Sequence, residues 1–166
     1  MRQHWHCGGA NKKAIGFTPS YSVHPLIAKI TGTAWIEGKR RSDFTIDAAA
    51  AVDQIQQSKP SLVFLTTPNN PSGTATPYED LEAIAQVTKA VGALLVIDEA
   101  YAEFSTIKKS THLIAQYPHV VSSRTMSKAF AFAGVRVGYL IAHPSVIDAA
   151  FVTRLPYHLS ALTQAA

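Results

Sequence analysis

Two short apolar runs constrain the fold of this chain most strongly. The segments "LVFLT" (62–66) and "ALLVI" (93–97) are continuously apolar and do not alternate with polar residues. A strand of this kind is covered on both faces, which is typical of a parallel sheet between layers of helices. Because helix-like segments separate such runs, the sequence predicts an α/β fold with a largely parallel sheet.

The same reasoning extends to the other β-type runs. The predicted strands are 14–17, 30–36, 62–66, 93–97, 119–123 and 138–142. The predicted helices are 48–57, 78–90 and 145–154. Thr76 and Glu79 form a capping box before the second helix, with Pro77 at its first position. Asp47 is a suitable cap for the first helix, and Pro144 is suited to the start of the third.

Composition limits the classes of function. The net charge is +4, but the basic residues are scattered and the longest basic run is Lys39-Arg40-Arg41. A nucleic-acid interface needs clustered basic residues, so these side chains are predicted to form a solvated surface. The single cysteine, Cys7, excludes an intramolecular disulfide and fits a reducing cytoplasm. No apolar run approaches the roughly 20 residues of a membrane span, and no signal peptide is evident.

The segment "HWHC" (4–7) contains residue types that bind metals. No second cluster completes a tetrahedral ligand set, so no metal site is predicted.

Polar residues follow three of the predicted strands. Asn69-Asn70 comes after 62–66, Asp98 comes after 93–97, and Lys128 lies in the turn after the strand that ends near Ser123. Ligands of open α/β sheets bind at the carboxyl ends of strands. These groups therefore form one site if the strands are neighbours.

Lys128 is the proposed Schiff-base lysine. Ser127 precedes it, and no other charged residue follows for seven positions, which suits a lysine held beside packed backbone. Arg136 lies between Val135 and Val137, and strand-like alternation projects its guanidinium away from these neighbours. A guanidinium, together with hydroxyls such as those of Ser127 and Thr125, matches a phosphate dianion. An ion pair with Asp98 or Glu99 is the structural alternative for Arg136.

The remaining candidates suit the ring of pyridoxal 5′-phosphate. Asp98 is expected to be partly buried and to pair with a protonated pyridine nitrogen, although a strand-end turn also explains an aspartate there. Tyr101 and Asn70 can both donate to the phenolate oxygen of that ring, whereas a tight turn alone explains the "NNPSG" segment. Tyr21 is a candidate for stacking on the ring, or else a core tyrosine.

Together these residues resemble a fold-type I pyridoxal-phosphate aminotransferase, in particular its histidinol-phosphate aminotransferase branch. The resembling segments, in the order of the family, are "IGFTPSYSVHP", "VFLTTPNNPSGT", "LLVIDEAYAEFS", "SRTMSKAFAFAGVRVGYLIAHP" and "RLPYHLSALTQAA". The resemblance implies a three-layer α/β/α large domain, here over 14–166, with an unmatched segment over 1–13. Because family members are longer, the chain is expected to be a fragment with little activity alone.

The resemblance also implies a role for each candidate residue. Asn70 and Tyr101 would contact the cofactor ring oxygen, and Asp98 its nitrogen. Lys128 would bind the aldehyde and shuttle a proton, while Ser127 and Arg136 would hold the phosphate. Tyr21 would stack on the ring.

The implied reaction moves an amino group between L-histidinol phosphate and 2-oxoglutarate in histidine biosynthesis, in a homodimer. An aromatic amino acid aminotransferase shares all these motifs, and a decarboxylase of a phosphorylated amino acid shares the core. A truncated remnant that at most binds the cofactor is the alternative from outside the enzymes.

Overall fold

The computed structural model describes residues 7–155 and 159–165. Its strands are Lys13–Thr18 (β1), Ala34–Lys39 (β2), Leu62–Thr66 (β3), Leu94–Asp98 (β4), Val120–Thr125 (β5) and Gly138–Ala142 (β6). They form one sheet in the order β2-β1-β3-β4-β5-β6. All neighbouring pairs are parallel except β5 and β6, which are antiparallel. The predicted mostly parallel α/β sheet is confirmed.

Helices cover both faces of this sheet. They are Val23–Ile30 (α1), Ala48–Ser58 (α2), Tyr78–Val91 (α3), Thr111–Ile114 (α4), Pro144–Thr153 (α5) and Ala161–Ala165 (α6). Helices α2, α3 and α4 pack on one face, where they contribute Ile55, Leu81 and Leu113 to the main core. Val146 of α5 packs on the other face against Leu94. The result is a three-layer α/β/α arrangement.

The strand predictions succeed except for one segment. β3 and β6 have the predicted bounds, and three of the other strands shift by only one or two residues. The predicted strand over 30–36 is wrong in its first half, because Ile30 ends α1. The Thr31 hydroxyl donates back to the Ile27 carbonyl at 2.9 Å, and Gly32 takes a φ of +69°. Ile30, Thr31 and Gly32 therefore end α1 before β2 begins.

Two of the three predicted helix starts are confirmed. The Asp47 carboxylate accepts a bond from the Ala50 N–H at 3.1 Å, and Pro144 is the first residue of α5. The predicted Thr76–Glu79 capping box is wrong, because α3 has no side-chain cap. Thr76 is buried, and its N–H donates instead to the Thr67 hydroxyl at 2.8 Å.

Arg40 contradicts the prediction that its basic run is a solvated surface. Its side chain is buried at 9% exposure, and its guanidinium donates to the carbonyl oxygens of Phe17, Phe44 and Thr66 at 3.1–3.2 Å. Burial lowers the pKa of Arg40 to about 10, so the group stays charged near neutral pH. Arg40 thus holds the ends of β1 and β3 to the loop before α2.

His119 is a buried imidazole between α3 and β5. Its Nε2 lies 3.0 Å from both the Thr88 hydroxyl and the Ala85 carbonyl oxygen, so Nε2 carries the proton. Burial lowers the pKa of His119, and the nearby charge of Lys89 lowers it further, against the opposing bond to Ala85. The neutral imidazole is therefore the form that fits the folded chain.

Two classes of feature are absent from the described part of the chain. In residues 7–155 and 159–165, no helix has the length and hydropathy needed to cross a bilayer. No group of three or more metal-binding side chains occurs there either. His4 and His6 of the "HWHC" segment lie outside those residues.

We expect Arg40→Met to lower the free energy of unfolding by about 1–3 kcal/mol, because the carbonyl oxygens of Phe17 and Thr66 lose buried hydrogen bonds from the guanidinium. Urea denaturation measures this loss. Lys39→Met is the matched control, because its side chain is exposed and should cost less than about 0.5 kcal/mol. Equal losses in the two variants would show that the buried bonds of Arg40 contribute nothing.

We expect the free energy of unfolding to fall as the pH drops below the ordinary histidine pKa of about 6.5. The unfolded chain then binds a proton that folded His119 resists, whereas above that pH both states are neutral. Each unit of pKa depression corresponds to about 1.4 kcal/mol. Denaturation curves measured between pH 8 and pH 5 give the free energy of unfolding at each pH. The slope of this free energy against pH should be smaller in His119→Gln, which keeps an N–H donor. His112→Gln, at an exposed position, should retain the wild-type slope.

Candidate functional site

The carboxyl ends of three adjacent strands form one edge of the sheet. β3, β4 and β5 are paired so that Thr66 lies opposite Asp98 and Asp98 lies opposite Ser123. The Asn70 turn, the Asp98 segment and the Lys128 turn leave the sheet from these three ends. The predicted meeting of these groups at neighbouring strand ends is confirmed.

All eight predicted site residues line a single cavity of about 250 Å³: Tyr21, Asn70, Asp98, Tyr101, Thr125, Ser127, Lys128 and Arg136. The remaining lining comes from residues that we did not predict, namely Thr66, Ala100, Ser123 and Arg124. A neighbouring cavity of about 530 Å³ shares Asn70 and Tyr101, but no charged side chain lines it. Of these two cavities, the smaller one is therefore the one lined by charged side chains.

Asp98 is the carboxylate of this cavity. Its side chain is 14% exposed, as expected for a partly buried group. One oxygen accepts a hydrogen bond from the Ala100 N–H at 3.1 Å, which is the turn arrangement that we considered as an alternative. The other oxygen lies 3.3 Å from His24 Nε2. The carboxylate is thus held from two sides.

His24 is a site residue that the sequence analysis missed. Its ring stacks on Phe64, with centroids 4.6 Å apart and planes 11° apart, and Tyr21 meets it edge-on at 5.5 Å. Tyr21 is 42% exposed, so it is not a core tyrosine. His24 lies in the first turn of α1, whose N-cap is Ser22, and Tyr21 lies just before that cap. The sequence analysis did not predict α1, so it gave no reason to place His24 beside Asp98.

The "NNPSG" turn delivers Asn70 to the cavity. The Asn69 N–H donates to the Thr74 carbonyl at 2.8 Å, and the Gly73 N–H donates to the Asn69 carbonyl at 2.7 Å. Gly73 has a φ of +73°, which favours glycine. The Asn69 side chain is buried and donates to the Pro19 carbonyl at 3.1 Å, which ties the turn to the Tyr21 segment. Asn70 is left facing the cavity.

Lys128 lies in an exposed turn. Its Nζ is 5.6 Å from the centroid of the Tyr101 ring. The prediction that packed backbone surrounds this lysine is wrong, because residues 128–134 are all exposed and Phe130 is 49% exposed. The small and aromatic residues continue the turn beyond the sheet, where helices α1–α5 do not bury them.

Arg136 is also exposed, and its backbone differs from the prediction. It follows a 3-10 turn and has a φ of +57°, so strand alternation does not orient its side chain. Its guanidinium donates to the Ala133 carbonyl at 2.9 Å. The alternative ion pair is not formed, because Asp98 and Glu99 pair with His24 and Arg124 respectively.

The two predicted hydroxyls have different surroundings. The Thr125 hydroxyl donates to the Val137 carbonyl at 3.3 Å and accepts a hydrogen bond from the Ser127 N–H at 3.1 Å. It therefore shapes the turn. Ser127 lines the same cavity and is half-buried. Its hydroxyl is the better placed of the two to donate to a ligand.

Comparison with known proteins gives a consistent family. The family model of class I and II aminotransferases matches residues 7–166. A histidinol-phosphate aminotransferase of Streptomyces avermitilis is 58% identical over 159 residues, which are 95% of this chain and 43% of that protein. Its counterpart from Thermobifida fusca is 55% identical over 160 residues, with the same coverage. The chain therefore spans less than half the length of these relatives.

Solved structures agree on the fold. The histidinol-phosphate aminotransferase of Clostridium acetobutylicum superposes with a TM-score of 0.85 at 23% identity, over 92% of this chain and 46% of that one. The enzyme from Sinorhizobium meliloti, solved in complex with pyridoxal-5′-phosphate, also has a TM-score of 0.85, at 26% identity. It covers 93% of this chain and 42% of that one.

Proposed function

The chain belongs to the class I and II aminotransferase family, and we propose that it carries the pyridoxal 5′-phosphate site of a histidinol-phosphate aminotransferase. One observation carries the proposal. Eight residues chosen for this cofactor, from segments as distant as Tyr21 and Arg136, line the same cavity. We propose that residues 14–166 are part of the large, cofactor-binding domain.

The lining matches the cofactor group by group. A phosphate dianion needs a cation and hydrogen-bond donors, which Arg136 and Ser127 provide. A protonated pyridine nitrogen needs a carboxylate, and Asp98 is the carboxylate that lines the cavity. An aldehyde needs an amine, and Lys128 provides it. The residues present therefore fit the cofactor.

When bound, pyridoxal 5′-phosphate supplies an aldehyde that condenses with amines and a ring that accepts electrons from the substrate α-carbon. Asp98 would keep the ring nitrogen protonated, and His24 would orient that carboxylate. Asn70 and Tyr101 would donate to the ring oxygen, and Tyr21 would stack on the ring face. The Lys128 amine would hold the cofactor and then carry a proton to and from the substrate α-carbon.

We propose L-histidinol phosphate as the amino donor and 2-oxoglutarate as the acceptor. The support is the name shared by relatives that are 51–58% identical to this chain, which favours this reaction over aromatic amino acid transamination. We further expect the whole protein to be a cytoplasmic homodimer that contributes to histidine biosynthesis.

We expect borohydride reduction in the presence of pyridoxal 5′-phosphate to fix one cofactor per chain on Lys128. Intact-mass measurement before and after reduction detects this adduct, and peptide mapping locates it. Lys128→Ala should lose the adduct. Lys29→Ala, which removes an exposed lysine of α1, should retain it. An adduct that survives in Lys128→Ala would contradict the proposed site.

We expect Arg136→Met to weaken binding of pyridoxal 5′-phosphate by roughly 10- to 100-fold, the worth of a charge-assisted hydrogen bond. Binding of pyridoxal, which lacks the phosphate, should stay unchanged. Absorbance titrations measure both affinities. Arg154→Met, at an exposed arginine outside the cavity lining, is the matched control. An equal loss for both ligands would show that Arg136 does not hold the phosphate.

A further inference from the structure

A second polar layer lies behind the cavity. Side chains alternate between the two faces of a strand, so Asp98 of β4 faces the cavity while Glu99 faces the opposite side, towards the main core. Glu99 is only 3% exposed. The proposed cofactor chemistry uses Asp98 and leaves this neighbouring buried carboxylate without a role.

The Glu99 carboxylate is saturated with hydrogen bonds. One oxygen accepts from the Ser110 N–H at 3.0 Å. The other accepts from the Ser122 hydroxyl at 2.5 Å and from the Arg124 guanidinium at 2.9 and 3.0 Å. Arg124 also donates to Glu103 at 3.1 Å, and its own side chain is 10% exposed. The Glu99 charge is therefore buried, and it is paired with an Arg124 guanidinium that is itself largely removed from solvent.

This pair spans the point where the β4–β5 ladder stops. The last backbone bond between the two segments runs from the Glu99 N–H to the Ser123 carbonyl at 2.9 Å. Beyond it, in the described part of the chain, every hydrogen bond between 99–105 and 124–128 comes from Arg124. Asp98 and Tyr101 lie beside one end of this link, and Lys128 lies four residues beyond the other.

Stability alone is a poor explanation for such a pair. The desolvation of two buried charges offsets most of their attraction, so a buried ion pair often contributes little to the free energy of unfolding. Two guanidinium N–H groups that donate to one carboxylate oxygen do, however, restrict the relative positions of the two segments that carry them. The link is therefore better suited to holding positions than to adding stability.

We propose that Glu99 and Arg124 are positioning residues, which hold the Asp98–Tyr101 segment and the Thr125–Lys128 turn at the spacing that the cofactor needs. This inference rests on the proposed function. The side chains act through the two segments: Glu99 lies outside the cavity lining, and Arg124 lies at the cavity edge.

The test removes both charges together, because loss of Arg124 alone would leave the buried Glu99 carboxylate without its cation and risk unfolding the chain. In the double variant Glu99→Gln with Arg124→Met, the glutamine oxygen can still accept from the Ser110 N–H, and its NH2 group can donate to the Ser122 hydroxyl, which is free to rotate. Ile84→Val, at a fully buried position of α3, is the control for a modest loss of stability unrelated to the site.

Hydrogen exchange of the cofactor-free chain reports the link directly. We expect exchange in the double variant to become about tenfold faster at 99–105 and 124–128, with other segments unchanged. Ile84→Val should not show this localised change. Wild-type exchange at both segments in the double variant would overturn the proposal.

The second measurement uses the chain saturated with pyridoxal 5′-phosphate. Circular dichroism in the absorption band of the bound cofactor reports a fixed orientation, which a loss of stability alone does not change. We expect the signal per bound cofactor to fall at least about twofold in the double variant and to stay at the wild-type level in Ile84→Val. An unchanged signal in the double variant would overturn the positioning role. If wild-type chain forms no Lys128-dependent adduct, the proposed function fails, while hydrogen exchange still decides whether the link exists.

Discussion

The parallel pairing of β3, β4 and β5 is the constraint on which the rest of the structure depends. Their ladders bring Thr66, Asp98 and Ser123 level with one another at one edge of the sheet. Each strand is followed by a turn that contains or adjoins a candidate ligand-binding residue. Because the three strands are central and buried, the turns start from fixed points. The cavity is thus a consequence of register, and its residues need no local sequence proximity to meet.

The sequence predicts the central part of this arrangement well, for a physical reason. Strands covered on both faces are continuously apolar, so the strand over 62–66 could be recognised from its own residues alone. The site residues follow such strands directly. Features that depend on distant partners could not be predicted in the same way. The burial of Arg40 depends on carbonyl oxygens of three separate segments, and the role of His24 depends on α1, whose β-branched end resembles a strand.

The site combines a buried half and an exposed half. Asp98 and the Asn70 turn are anchored to the core through β4 and β3. Lys128 and Arg136 lie on turns that are exposed in the structure, and those turns hold their shape mainly by short-range backbone bonds. The geometry between the two halves therefore depends on whatever joins them beyond the β4–β5 ladder. In the described chain, the Arg124 guanidinium supplies the hydrogen bonds between residues 99–105 and 124–128, and Lys128 lies 5.6 Å from the centroid of the Tyr101 ring.

The adjacent acids Asp98 and Glu99 show how one strand end serves both halves. Two neighbouring carboxylates in one cavity would repel each other. Strand alternation prevents this, because it directs the two side chains to opposite faces of the sheet. Asp98 meets the His24 imidazole on the cavity side, and Glu99 meets the Arg124 guanidinium on the other. Because Glu99 is paired with Arg124, Asp98 is the carboxylate that lines the cavity. The order Asp-Glu at the end of β4 therefore directs one carboxylate to the cavity and the other to the ion pair with Arg124.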